Sequence, residues 1–157
     1  PLIDESELPG SLTVPAGAFV SLYMGDRLRG CIGHFGASGP LYRTVQEMTL
    51  SAATRDSRFA AVEPPELEYL RIEISILTPL QRIRSVEEFE LGRHGIYMTK
   101  DGRSGTFLPQ VAEGKDWSRE DFLGHCAREK AGIGWEGWKE ADLYTYEAIV
   151  FGEGVKP

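Results

Sequence analysis

Two cysteines, three histidines and no long apolar run remove whole classes of protein before any motif is read. A structural zinc site needs several sulfur or imidazole ligands at workable spacing, and the chain has neither a Cys-x-x-Cys nor a His-x-x-x-His pair. Only a site gathered by the fold from Cys31, His34 and His94 would remain, so no metal is assigned. A chain of 157 residues buries a core without covalent staples, so Cys31 and Cys126 read as free thiols of a reducing compartment. No stretch approaches the roughly 18 apolar residues of a membrane span. The opening Pro1-Leu2-Ile3-Asp4-Glu5 has neither the basic start nor the apolar core of a secretory signal, and a cytoplasmic protein is expected. Neither a Walker pattern nor a Gly-x-Gly-x-x-Gly opening a helix is present, so no nucleotide or other cofactor is expected. Positive charge is also short: 17 basic against 24 acidic residues give −7, which opposes binding to phosphate backbones.

What is present describes an ordinary globular chain, 41% apolar and 26% charged, read as one domain over residues 1–157. Ala18 to Met24 and Leu28 to His34 form a predicted hairpin around Gly25-Asp26. After a loop from Gly36 to Gly39, Pro40 opens a helix in which Leu41, Val45, Met48 and Ala52 recur at helical spacing, ending near Arg55. Leu70, Ile72, Ile74 and Ile76 alternate with Arg71, Glu73 and Ser75, the pattern of a half-buried strand. Ser85-Val86-Glu87-Glu88 has the spacing of a capping box. Asp101-Gly102 fits the primed turn of a second hairpin, Ile96 to Lys100 and Arg103 to Leu108. Ser118 starts a last helix, with Phe122 and Cys126 inward and Gly132 beyond its end, and one strand from Leu143 to Phe151 closes the chain. The sum is an α+β fold, antiparallel sheet flanked by helices, with residues 82–117 as a candidate smaller subdomain.

Chemistry concentrates in Leu28-Arg29-Gly30-Cys31-Ile32-Gly33. Glycine admits close approach of backbone or ligand, and a guanidinium beside a thiol favours the reactive thiolate. Regular alternation sets Arg29, Cys31 and Gly33 on one face of the strand, opposite Leu28 and Ile32, unless a bulge at a glycine changes the register. Arg29 either activates the thiol or clamps an anion. His34 and His94 are candidate proton acceptors, whereas His125 reads as helix surface and Cys126 as packing. Arg55-Asp56-Ser57-Arg58 reads more as helix termination and ion pairing than as a ligand site, and Glu73 is a candidate acid or base on a polar strand face. Gly105-Thr106-Phe107-Leu108-Pro109-Gln110 offers backbone groups and the Gln110 amide to a pocket.

The run Leu28 to Gly33, followed by Arg55-Asp56-Ser57-Arg58-Phe59, Glu73-Ile74-Ser75-Ile76-Leu77, Gly92-Arg93-His94-Gly95 and Gly105-Thr106-Phe107-Leu108-Pro109-Gln110-Val111, resembles the AMMECR-one domain family. The likeness continues in order through Trp117, Phe122-Leu123, Cys126, Lys130-Ala131-Gly132 and Leu143 to Ala148. It implies an α+β fold with a larger and a smaller subdomain and a cleft near the Leu-Arg-Gly-Cys-Ile-Gly motif. It also implies, as partners, a Memo-type protein and a radical S-adenosylmethionine protein. Arg29, Gly30, Cys31, Gly33, Arg93, His94 and Gln110 are the positions it transfers. The sequence departs from the family pattern at His34, where a small hydroxyl residue is more usual, and in lacking a helix before Gly17. The leading expectation is a cysteine-dependent enzyme or enzyme component acting on a small anionic metabolite or a modified macromolecule. In it Cys31 is the nucleophile, Arg29 or Arg93 supplies charge, His94 moves a proton, and Gly30, Gly33, Arg93 and Gln110 hold the substrate. A noncatalytic ligand-binding or protein-interaction module is the rival, and an RNA-binding protein the third reading.

Overall fold

A computed structural model describes residues 3–36 and 39–154. Eight strands and two longer helices follow in the order β1 (Gly17–Met24), β2 (Arg27–His34), α1 (Leu41–Thr54), β3 (Leu70–Leu77), β4 (Gln81–Ile83), β5 (Gly95–Lys100), β6 (Arg103–Phe107), α2 (Arg119–Cys126), β7 (Asp142–Tyr146) and β8 (Ala148–Gly152). The strands form two four-stranded sheets, β2-β1-β3-β8 and β4-β7-β5-β6. The chain correspondingly divides into two units, one running to Pro79 and resumed at Ile149, the other Leu80–Ala148. The second continues past the 82–117 segment read from the sequence, because α2 and β7 supply Phe122, Leu123, Cys126 and Leu143 to the same core as Phe89, Ile96, Met98 and Phe107. Among the described residues no helix is long and apolar enough to cross a membrane.

In the first unit β1 is central, antiparallel to β2 and β3. Val20 and Leu22 on one face of β1 pack with Ile32, Ile72, Ile74 and, from α1, Val45, Met48 and Ala52. Full burial of side chains such as Val20 and Leu22, 0% and 2% exposed, is worth about 1.5–3 kcal/mol each. The opposite face presents Phe19, Ser21 and Tyr23 from β1 and Glu73 and Ser75 from β3. The predicted hairpin forms around Gly25-Asp26, with one irregularity: Leu22 pairs with Gly30 and Tyr23 with Leu28, leaving Arg29 as an extra residue in β2. This β-bulge breaks the alternation read from the sequence, so Leu28 lies opposite Tyr23 while Ile32 stays opposite Val20 in the core.

The second unit realises the second hairpin, its turn made by Asp101 at φ 51° and Gly102 at φ 77°. The Ser85 capping box heads a single 3-10 turn, and the Ser118 capping box heads α2. The helix runs on through a π-type turn, Ala127–Ala131, and stops at Gly132 with φ 65°. The single strand expected from Leu143 to Phe151 is two strands in different sheets, β7 and β8, broken at Glu147, whose carboxylate is held by Arg93 at 2.5 Å. The loop expected from Gly36 to Gly39 falls partly outside the described residues.

Candidate functional site

Cys31 is fixed from three directions in the first unit. The strand register sets it opposite Ser21, whose hydroxyl donates to Cys31 Sγ at 3.2 Å. Its backbone N–H donates to Asp56 Oδ2 at 2.9 Å, and its carbonyl accepts from Arg58 Nη2 at 3.1 Å. Asp56 and Arg58 belong to the segment that leaves α1, and they grip each other as a fork, Arg58 Nε to Asp56 Oδ1 at 2.9 Å and Nη2 to Oδ2 at 2.7 Å. The Arg58 guanidinium, helped by the Cys31 N–H, holds the buried Asp56 carboxyl down at about 2, against the burial that raises it. The segment read as helix termination therefore also fixes the backbone of the cysteine.

Arg29 does not join this group. Its guanidinium makes a bidentate pair with Glu66, 2.8 and 3.0 Å, and donates to the carbonyls of Ala60 and Ala61 at 2.7 and 3.1 Å. The residue bulged out of β2 thus ties that strand to the segment between α1 and β3, while Arg58 is a cation that interacts electrostatically with Cys31. The flanking glycines are occupied by protein: a Cβ at Gly30 would lie 2.2 Å from the Ala52 carbonyl oxygen of α1, and one at Gly33 would lie 2.1 Å from the Phe19 ring. His34 turns back on its own loop, its Nδ1 2.8 Å from the Gly36 carbonyl oxygen.

Ser21 also sits opposite Glu73 of β3, so Cys31, Ser21 and Glu73 form a row across three adjacent strands. Tyr23 lies two residues along β1 on the same face, and the Arg71 guanidinium lies 4.7 Å from the centre of its ring. Burial, with the negative charges of Glu73 and Cys31, pushes the Tyr23 phenol above its ordinary value. Ser21 is 5% exposed and Ser75 2%, so this face of the sheet holds covered polar groups where a wet strand surface would be the ordinary expectation. Beside β2 an open pocket is lined by Arg27, Leu28, Arg29, Arg58, Phe59 and Ala60.

In the second unit Arg93 and His94 share the turn before β5. Arg93 is bound to two carboxylates, Glu147 at 2.5 Å and Glu90 at 3.1 Å. His94 Nδ1 accepts the Glu90 backbone N–H at 3.0 Å. An accepting Nδ1 places the imidazole proton on Nε2, so the free edge of this ring donates and does not accept. Gln110 follows β6 in a 3-10 turn, Pro109–Ala112, with its side-chain oxygen buried. His125, expected on the helix surface, is stacked on Trp117 at 4.1 Å and meets the edge of Trp135 at 4.8 Å. Cys126 is fully buried, and desolvation pushes its thiol up to about 12, as packing requires. No group of three or more His, Cys, Asp or Glu among the described residues is arranged to hold a metal ion.

Ser21 and Tyr23 had no motif to announce them; only the register of the hairpin reveals them. Comparison with known proteins extends the likeness over nearly the whole chain. Protein MK0488 of Methanopyrus kandleri is 39% identical over 162 residues, 96% of this chain and 78% of the relative. Protein NEQ441 of Nanoarchaeum equitans is 30% identical, covering 94% of this chain and 86% of its own length. The crystal structure of uncharacterized protein PH0010 from Pyrococcus horikoshii superposes with a TM-score of 0.89 at 30% identity, over 98% of this chain and 81% of the other. The family model described as AMMECR1 matches residues 1–151, and with relatives at these identities and coverages the chain belongs to the AMMECR1 family.

Proposed function

We propose that this protein is a cysteine-dependent enzyme, or the thiol-bearing component of one, with Cys31 as its nucleophile. The observation that carries the reading is the immobilisation of Cys31: Ser21 donates to its sulfur while Asp56 and Arg58 bind its backbone N–H and carbonyl. A small residue that merely fills a gap needs no such fixing, whereas a nucleophile gains rate from being held near its attacking geometry. A hydroxyl donating to sulfur and a nearby guanidinium both favour the thiolate, the form that attacks.

For substrate we propose a small anionic metabolite or an anionic group on a modified macromolecule. In the pocket beside β2, Arg29 and Arg58 are matched by Glu66 and Asp56, and the exposed Arg27 adds a charge to recruit such a group. Arg93 is already paired with two carboxylates and His94 accepts a backbone N–H at Nδ1, so within the second unit both are committed to the turn before β5, which does not fit the charge supply and proton shuttling expected of them. As partners we propose the Memo-type and radical S-adenosylmethionine proteins that the resemblance implies.

The test is the pH profile of iodoacetamide alkylation at Cys31, followed by peptide mass spectrometry on the native chain. A midpoint well below the value of about 8.5 for a free thiol supports the nucleophile. An inert thiol, or one with an ordinary midpoint, overturns it in favour of a binding module.

A further inference from the structure

The first sheet sets beside the thiol a carboxylate with which no described cation pairs. Glu73 of β3 and Cys31 of β2 both sit opposite Ser21 of β1, so the two side chains rise from the same face with one strand between them. Among the described residues the Glu73 carboxylate receives no hydrogen bond and no ion pair, although it is half-buried on a face where Ser21 and Ser75 are 5% and 2% exposed. Arg71, the cation on the same face of β3, is spent elsewhere: its guanidinium lies over the Tyr23 ring and donates to the carbonyls of Gly25 and Glu153, each at 3.4 Å. Asp56 and Arg58, on the other side of the thiol, satisfy each other. We propose that Glu73 is a specificity residue of the Cys31 site and receives a cationic nitrogen of the substrate.

A carboxylate drawn partly out of water without a partner costs stability, so one kept beside a nucleophile fits a charge that arrives with the substrate. The negative charges of Glu73 and of Cys31 both act on the Tyr23 phenol, which sets the two groups in one neighbourhood. Directly opposed residues stand about 5 Å apart at Cβ, so Cys31 and Glu73 lie roughly 10 Å apart across the short Ser21 side chain. An ammonium or guanidinium paired with Glu73 would hold an electrophilic atom a few bonds away against the sulfur. The inference rests on the reading of Cys31 as nucleophile. Together with an anionic group received at the Arg27 pocket beside β2, it makes the substrate a zwitterion of amino-acid type that spans about two strand spacings, roughly 10 Å.

The experiment measures the rates at which two methanethiosulfonates of like size, one bearing an ethylammonium and one a neutral ethyl group, modify Cys31. Each rate is divided by that of the same probe with 2-mercaptoethanol and assigned to Cys31 by peptide mass spectrometry. The native chain is expected to favour the cationic probe by about tenfold, the scale of one charge acting across the site in a medium of intermediate polarity. In Glu73→Gln, which keeps the size and removes the charge, the ratio is expected to fall to near one, whereas Glu68→Gln, at an exposed carboxylate before β3, should leave it unchanged. Added salt should shrink the native preference, a readout that needs no variant. A native thiol that neither probe modifies overturns the nucleophile reading and this one with it. A thiol that reacts without charge preference, or a preference that survives in Glu73→Gln shown to be folded by circular dichroism, overturns the role of Glu73 alone.

Discussion

Asp56 accepts the backbone N–H of Cys31 at 2.9 Å, and so joins the segment after α1 to the strand that carries the thiol. The carboxylate is buried, and Arg58 holds it ionised. Its folded value, about 2, lies below the ordinary 3.8. A depressed carboxylate stabilises the fold above its unfolded value and loses that contribution as pH falls toward its folded value. The native protein is therefore expected to lose about 2 kcal/mol from this group between pH 5 and pH 2, on the scale of 1.36 kcal/mol per unit. Urea unfolding of native and Asp56→Asn protein across that range checks it. The stability difference between the two should shrink as pH drops, and a constant difference refutes the linkage.

Arg29 and Arg58 are expected to separate structure from reactivity. Arg29 spends its donors on Glu66, Ala60 and Ala61, so Arg29→Ala should lower the thermal unfolding midpoint while leaving the alkylation midpoint of Cys31 in place. Arg58 touches the Cys31 carbonyl and its charge reaches the thiol, so Arg58→Ala should raise that alkylation midpoint. Parallel melts and alkylation profiles decide, and an alkylation shift in Arg29→Ala as large as that in Arg58→Ala contradicts the assignment.

The motif was legible in the sequence and its wiring was not, for a countable reason. The Gly25-Asp26 turn pairs Met24 with Arg27, and regular pairing from there sets Val20, a core residue, opposite Cys31. The bulge at Arg29 shifts the register by one and brings Ser21 there instead. A glycine after an arginine permits a bulge without requiring one, so no pattern in the chain marks the shift. The helices with the Ser118 start of α2, both hairpin turns and the Ser85 capping box were readable because each depends on neighbours within a few residues. The division of the last strand at Glu147 is a matter of which distant strands its halves pair with, β7 in one sheet and β8 in the other, and local pattern holds no trace of it.

Gly30 and Gly33 are expected to differ in their tolerance of a methyl group. At Gly30 the obstacle is the Ala52 carbonyl oxygen, which cannot move without displacing α1 from the sheet, whereas at Gly33 it is the root of the Phe19 ring, a side chain that can change rotamer without moving backbone. Gly30→Ala should cost about 1–3 kcal/mol or more, in the range of overpacked cores, and Gly33→Ala less. Denaturant titrations of both variants give the comparison. Equal costs would mean that α1 yields as easily as the ring.

His94 supplies a prediction that needs no substrate. Because Nδ1 accepts from the Glu90 N–H at 3.0 Å, the neutral ring must carry its proton on Nε2. Long-range nitrogen–proton correlation spectra distinguish the two ring nitrogens and should show Nε2 protonated. His94→Asn, whose side-chain oxygen can take over the role of Nδ1, should hold the turn better than His94→Ala. A ring found protonated on Nδ1 would break the contact with Glu90 and return His94 to the position of a general base, because Nε2 would then be free to accept.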